Sequence, residues 1–330
     1  MKDTSNILVT VLMPVYNSEK YLNAAIDSIL NQSFPSFEFL IIDDGSTDSS
    51  KKIIKSYTDS RIVYIQNNVN KGIVASLNYG LDISRGKYIA RMDADDIAHP
   101  NRLEFQVKFM LAHPDCKLCG TRAIAINENG EEIRKLRRPY LSHEICVQHL
   151  FRNSFIHPSI IMDAEIARQF KYSPDYEYAE DYYLFSQIAL HYKTHNLKEY
   201  LLNYRVHQTN ITSSKQEEMS KGEKKTINYL LSQLFEENNA NETISMHHSF
   251  LTRDFRNLNF DNVEAHLLRI INTNKQKKIY KYSLLSTAIQ DEWFNYLYFS
   301  KQKNALRKFI TSDLFSFKRF KIRQFIKLII

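Results

Sequence analysis

The sequence predicts an α/β protein: a mostly parallel, Rossmann-like sheet flanked by helices, followed by a helical C-terminal appendage. Three observations predict it. Across residues 7–112, short β-rich apolar runs alternate with runs of helical period, the rhythm of parallel strands joined by crossover helices. Polar clusters close these apolar runs, which puts them at the strand ends where α/β sheets bind ligands. From about residue 213 the composition turns to Lys, Glu, Asn, Leu, Tyr and Phe with helical spacing, after a last proline at Pro174.

The elements follow in order. Residues 7–15 form a strand closing at Pro14-Val15-Tyr16-Asn17. Ser18 is placed to cap a helix whose inner face is Tyr21, Leu22, Ala25, Ile26, Ile29 and Leu30. Residues 37–42 form the second strand, closed by Asp43-Asp44-Gly45-Ser46-Thr47-Asp48, and Ile53, Ile54 and Tyr57 continue as a helix. Residues 61–65 form the third, followed by Asn67-Asn68-Val69-Asn70-Lys71-Gly72 and a helix through Leu81. Residues 87–92 form the fourth and end in Met92-Asp93-Ala94-Asp95-Asp96. Pro100 suits the first turn of the next helix, which turns Leu103, Val107, Met110 and Leu111 inward. Residues 118–126, 155–162 and 201–206 read as further strands, with an Asn129-Gly130 turn after the first and a helix opening at Ala179-Glu180-Asp181. The expected division is an α/β domain over 1–215 and a helical region with a basic tail over 216–330.

Composition sets the outer limits. A hydrophobic share of 43% and a charged share of 25% are ordinary for a folded protein and exclude the disordered and fibrous classes. Three cysteines make no disulfide framework, and Cys116-x-x-Cys119 lacks the second pair a zinc site needs. They read as buried thiols in a reducing, cytoplasmic setting. The first apolar run is broken by Thr10 and Pro14 and reads as a strand rather than a secretory signal. No run reaches the roughly 20 apolar residues of a spanning helix, so any attachment to the cytoplasmic face of the inner membrane is peripheral.

Charge is unevenly placed. Residues 301–330 carry nine Lys/Arg against Asp313, a net +8, while the whole chain carries +7. The rest is close to neutral, which argues against a general nucleic-acid surface and makes anionic lipid the better partner for 301–330. Within 314–330, Phe315, Phe317, Phe320, Phe325, Ile326 and Ile329 are mixed with five basic residues. On a helical wheel Lys318 falls among the apolar positions, so a buried terminal helix and an interfacial anchor both remain open.

The chemistry concentrates in Asp93, Asp95 and Asp96. Three carboxylates in four residues repel one another unless a cation sits among them, and Asp oxygens suit Mg2+ or Mn2+ rather than zinc or copper. Such an ion keeps open positions for phosphate oxygens. An Asp-rich turn capping the following helix accounts for the same residues.

The motifs together resemble the family 2 glycosyltransferases. The resemblance rests on Pro14-Val15-Tyr16-Asn17, the Gln32 region, residues 37–48, Asn70-Lys71-Gly72, Gly86-Lys87-Tyr88-Ile89 and Met92-Asp93-Ala94-Asp95-Asp96. It continues in His157-Pro158-Ser159, Glu180-Asp181 and Tyr204-Arg205-Val206-His207, and covers roughly residues 6–213. It implies a GT-A fold, a nucleotide-sugar donor (a UDP-sugar), Mn2+ or Mg2+, and inversion at the anomeric carbon. The implied acceptor is a hydroxyl of a surface polysaccharide, a lipopolysaccharide or a lipid-linked oligosaccharide. The backbone of Pro14, Val15 and Tyr16, with Asn17, then walls the nucleoside, and Asn70, Gly72 and Ala94 line the donor. Asp44 reads the uracil N–H with Asp43 beside it, an Asx-turn contact to residues 46–48 being the alternative for either. Asp93 takes the ribose side and the metal, and Asp95 takes the metal. Asp96 is expected to cap the next helix in preference to ligating through water. Asp181 is the implied base, with Glu180 as fallback. Arg205 is expected to fork onto the diphosphate and His207 to be a third metal ligand, whereas His157 reads as packed and hydrogen-bonded.

Three rival classes are less favoured. A sugar-nucleotide nucleotidyltransferase would show a Gly- and Lys/Arg-rich phosphate loop where this chain has Pro14-Val15-Tyr16-Asn17. A non-catalytic nucleotide-sugar-binding protein would be favoured by loss of the Asp-x-Asp or Glu-Asp pairs, and both are present. A dinucleotide oxidoreductase is disfavoured because no Gly-x-Gly-x-x-Gly follows the first strand.

Overall fold

The opening runs form β1 (Val9–Val15), α1 (Leu22–Leu30), β2 (Phe37–Asp43), α2 (Ser50–Ser56), β3 (Ile62–Gln66), α3 (Ile73–Ile83) and β4 (Tyr88–Arg91). The protein is described here from a computed structural model, which covers residues 7–207, 215–236, 240–319 and 321–329. β1, β2 and β4 are buried along almost their whole length, because helices cover both faces of a parallel sheet. Register then aligns the strand ends: Val15 pairs with Asp43, and Asp43 with Gln66. Residues just beyond these positions share one rim.

The chain continues through β5 (Ile97–Ala98), α4 (Arg102–Ala112), β6 (Cys116–Ile126), β7 (Glu132–Leu136), α5 (Ser142–His149), β8 (Ile161–Asp163), α6 (Ala164–Phe170), α7 (Glu180–His191) and β9 (Lys193–Arg205). The sheet order is β3-β2-β1-β4-β8-β6-β9-β5, with β7 on β6. β1 to β4 pair in parallel, as do β6 and β9, whereas β8, β5 and β7 run antiparallel to their neighbours. The α/β class with flanking helices is as expected; the second half of the sheet is mixed.

Local departures have local causes. Residues 155–162 do not form one strand, because Pro158 has no N–H for a ladder; His157–Ser159 turns as a 3-10 helix and only Ile161–Asp163 joins the sheet. β9 starts at Lys193, well before residue 201, and its buried Thr194 and Asn196 hid it from an apolar-pattern reading. Ser18 does not cap α1. Its carbonyl, not its hydroxyl, accepts the Tyr21 and Leu22 N–H groups. Pro100 precedes Asn101, the residue that flanks α4, and Leu111 faces outward. Cys116 and Cys119 lie buried in β6, and burial pushes the Cys116 thiol up to about 12.

The chain divides into two units, Met1–Ser142 with Ser154–Gly222, and His143–Asn153 with Glu223–Ile330. Residues 143–153 thus group with the helical unit, which no local pattern announced. That unit contains most of α8 (Gln216–Leu234), then α9 (Asn241–Thr252), α10 (Phe260–Lys277), α11 (Tyr282–Phe299), α12 (Ala305–Thr311) and α13 (Ile322–Ile329). Phe250, Leu267, Ile270, Trp293, Tyr296 and Leu297 form its buried core. The tail is not one helix over 314–330: Phe317–Arg319 turns as a 3-10 helix ahead of α13. Phe320 and the side chains of Phe325 and Ile329 lie outside the described residues. No described helix is long and apolar enough to cross a membrane.

Candidate active site

The loops after β1, β2 and β3 are tied into one rim by short polar side chains. Asn17 sits in the left-handed region (φ 48°), where Asn is tolerated. Its N–H donates to Ser46 Oγ at 3.0 Å and its Oδ1 accepts the Thr47 N–H at 2.8 Å. Asp43 makes the turn contact, accepting the Ser46 N–H at 2.9 Å, and its other oxygen accepts from the Tyr64 hydroxyl at 2.9 Å. Asp44 reaches across to the third loop, accepting Asn67 Nδ2 (2.7 Å), the Lys71 N–H (3.0 Å) and the Gly72 N–H (2.9 Å). Asn70 Oδ1 shares that Gly72 N–H at 2.8 Å. Gly45 has φ 76°, and a Cβ there would stand 2.8 Å from the Val69 carbonyl carbon, so glycine is required twice over. Pro14 and Val15 end β1 beneath an exposed Tyr16.

The acidic cluster follows β4 directly. Oxygens of Asp93, Asp95 and Asp96 lie within 4.8 Å of one another. Asp93 is ion-paired with the buried Arg91 guanidinium. His207 Nε2 lies 2.9 Å from Asp95 Oδ2. Asp96 is fully buried; its Oδ1 accepts the Arg205 N–H at 2.7 Å, and its Oδ2 has no hydrogen-bond partner among the described residues. Burial, then the charges of Asp95 and Asp93, push the Asp96 carboxyl well above the usual range. The donor set is all oxygen plus one imidazole, with a buried oxygen unmatched. Such a set is one that could hold a hard divalent cation, with Asp93, Asp95 and His207 as the residues able to ligate it and Asp96 beside them.

A second acidic pair opens α7. Glu180 is buried, its Oε2 lacks a partner among the described residues, and burial followed by the Asp181 charge raises its carboxyl to about 7. Arg91 opposes that rise and Asp93 adds to it, so the two acidic groups share one electrostatic field. Asp181 is half-buried and accepts the Tyr182 N–H at 2.6 Å. Tyr172, fully buried, places its hydroxyl 2.9 Å from His157 Nε2 and is fixed by Asn78, which bonds its N–H (2.9 Å) and its carbonyl (2.7 Å). Burial is the main cause that keeps the Tyr172 phenol protonated, and Asp181, Glu180 and Asp93 reinforce it.

The pattern of glycosyl transferase family 2 matches residues 10–169. The chain is 35% identical over 243 residues to a glycosyltransferase of Haemophilus influenzae, covering 69% of this chain and 75% of the relative. The chain belongs to the family 2 glycosyltransferases. This glycosyltransferase is also 31% identical over 220 residues to the Escherichia coli UDP-Glc:alpha-D-GlcNAc-diphosphoundecaprenol beta-1,3-glucosyltransferase WfgD, covering 65% of this chain and 83% of WfgD. Among solved structures, residues 1–349 of Staphylococcus aureus TarS in complex with UDP-GlcNAc superpose with a TM-score of 0.59 at 17% identity, covering 89% and 90% of the two chains. That likeness shows the shared GT-A fold.

Two sequence expectations for this glycosyltransferase are corrected. Asp96 caps no helix: β5 follows it, α4 begins only at Arg102, and its carboxylate instead receives the Arg205 backbone. Arg205 does not extend a free fork toward a diphosphate. Its Nε donates to the Asp95 carbonyl (2.8 Å) and its Nη1 to the carbonyls of Asn127 (2.9 Å) and Glu128 (3.0 Å), while the guanidinium lies 4.4 Å over the Tyr21 ring. It braces the acidic loop from behind. His157 is packed and hydrogen-bonded, as its position before Pro158 suggested. The sequence reading gave no role to Arg91 and Tyr172. An arginine ending an apolar strand just before three acids was a usable signal for the first; nothing marks Tyr172 among 20 tyrosines.

Proposed function

We propose that this glycosyltransferase moves a sugar, with inversion, from a UDP-sugar to a hydroxyl of a surface polysaccharide, lipopolysaccharide or lipid-linked oligosaccharide. One observation carries the reading: a three-carboxylate cluster with an unmatched buried oxygen shares its field with a second acidic pair at the start of α7. The donor class is supported by TarS, solved in complex with UDP-GlcNAc, and both donor and acceptor classes by WfgD, whose name gives UDP-Glc and a diphosphoundecaprenol-linked sugar.

The reading gives each residue a role, and the geometry supports several of them. Pro14, Val15, Tyr16 and Asn17 wall the nucleoside. Asp44 holds the third loop with three donors, and a carboxylate with about four lone-pair sites keeps one for the uracil N–H. Asn70 and Gly72 shape the loop that Asp44 holds, and Ala94 keeps the cluster's backbone close to the donor. Asp93 takes the ribose side, steadied by Arg91. Asp93, Asp95 and His207 would hold a Mn2+ or Mg2+ ion, which would supply neutralisation of the departing diphosphate. Asp181 accepts the acceptor hydroxyl's proton on the face opposite the leaving group, and Glu180, with a carboxyl near 7, is the fallback base. Three free cysteines suit a cytoplasmic setting.

The test is a donor screen. Purified protein with Mn2+ and a panel of nucleotide sugars should release nucleoside diphosphate from one UDP-sugar. Release from none of them, or with Asp181→Asn as fast as wild type, defeats the reading. Asp95→Ala should remove the response to added Mn2+, and an unchanged response sinks the metal assignment.

A further inference from the structure

We infer that the outer surface of α13 and the turn before it rests on an anionic lipid bilayer. α11, α12 and α13 pack against one another, so the surface is built rather than loose. Gln324 is buried and donates to Asp291 Oδ1 at 2.8 Å, with Lys321 ion-paired to the same carboxylate. Arg319 donates to Ser286 Oγ at 3.1 Å and fixes the 3-10 turn. These contacts settle which side of α13 faces α11 and which faces out.

The outward side carries two adjacent ridges. Ile322 and Ile326, one helical turn apart, are 74% and 52% exposed, and Phe317 just ahead is 82% exposed. Arg323 and Lys327 form the neighbouring ridge, also exposed, with Lys318 beside Phe317. The Lys327 ammonium lies 5.4 Å over the Tyr298 ring, which joins the exposed Tyr298 and Phe299 at the end of α11 to the same surface. Single exposed apolar residues need no explanation, but a cluster of large ones edged by cations does.

The charge is of one sign. Asp313 is the only acid of residues 301–330. A nucleic acid would be matched by the cations, yet it has no use for two exposed isoleucines and an exposed phenylalanine. A protein partner would be met by a surface of mixed sign. Apolar side chains that enter the headgroup boundary, ringed by Lys and Arg that meet anionic headgroups, fit a bilayer. Lys318, which falls off the polar face of an idealised helix, lies in the 3-10 turn and is exposed there, so it no longer counts against this surface. The inference extends the reading of a lipid-linked acceptor, and its test reads binding without transfer, so either can fail alone.

The full chain is floated with vesicles of phosphatidylcholine, with and without 30% phosphatidylglycerol, at low and high salt. Wild type should float only with phosphatidylglycerol vesicles and leave them at high salt. Phe317→Ser/Ile322→Ser/Ile326→Ser and, separately, Lys318→Ser/Arg323→Ser/Lys327→Ser should each bind at least tenfold less. All six side chains are exposed, so both variants should keep wild-type helicity, melting and UDP release. Wild type that stays at the bottom of the gradient, equal binding to neutral vesicles, or variants that float like wild type overturn the inference. So does a dimer in sedimentation that the apolar variant splits, which would give the surface to a second copy, or a DNA duplex that displaces the vesicles.

Discussion

Glu292 in the helical unit and Asp96 on the acidic rim are equally buried carboxylates, at 2% and 0% exposure, with opposite surroundings. Glu292 is saturated: Arg152 and Arg253 both pair with it, and Asn295 Nδ2 donates at 3.2 Å. Asp96 has one N–H on one oxygen, no partner on the other among the described residues, and two more aspartates within 4.8 Å. A buried charge costs stability unless it is matched, so the first arrangement is architecture and the second leaves a carboxylate that a bound cation would match. Glu38 in the α/β unit repeats the first pattern, taking Thr10 Oγ1 at 2.6 Å and the Arg85 N–H at 2.7 Å. The distinction therefore separates roles, not units.

The largest expected effect tests the functional side. Asp181→Asn should lower kcat by about 10²–10⁴, the usual contribution of a general base, with UDP affinity changed by only a few fold. Single-turnover transfer together with UDP titration checks it. A variant that loses UDP binding as well would mean that Asp181 holds the rim together.

The next prediction sets the two carboxylates against each other. Glu292→Gln should destabilise the protein by about 1–3 kcal/mol, because two guanidinium groups lose their partner. Asp96→Asn keeps an acceptor for the Arg205 N–H and removes a repelling charge, so the metal-free protein should gain roughly 1 kcal/mol while transfer falls. Urea unfolding of both variants without divalent ions measures the two signs. Equal signs would erase the contrast.

How much of this was legible in the sequence depends on how local each signal is. The first four strands and their helices were readable because apolar runs alternate with helical runs and the strand-end clusters sit in continuous sequence. The acidic cluster and Glu180-Asp181 were likewise visible as strings. What stayed hidden are pairings between distant segments: Asp44 with residues 67–72, Arg205 with the carbonyls of residues 95, 127 and 128, and Tyr172 with His157. Arg205 shows the limit well. An arginine after a last strand reads as a phosphate ligand, and only packing against Tyr21 reveals that it supports the loop instead. Residues 143–153 failed for the same reason, since membership of the helical unit is a tertiary fact.

The smallest effect is a pH slope of opposite sign in the two regions. In the helical unit His247 and His266 face each other at 2.8 Å, and His247 Nε2 lies 2.6 Å from the Leu150 carbonyl. Burial lowers His247 to about 4 and holds His266 well below its ordinary 6.5. Between pH 6.5 and about 4 the unfolded chain binds protons there that the folded unit does not, so stability falls as the pH falls through that window. Glu180 runs the other way. Raised from 4.5 to about 7, it is protonated in the folded protein before the unfolded one, so its contribution is fully present below pH 4.5 and is lost as the pH rises to 7. Hydrogen exchange, corrected for intrinsic rates, should therefore show residues 241–277 opening more easily at pH 5 than at pH 7, and residues 180–191 less easily. Glu180→Gln should flatten the second slope and leave the first untouched. If both segments slope alike in wild type, Glu180 is matched by a neighbour in solution, and one of the two unmatched carboxylates that define the site is lost.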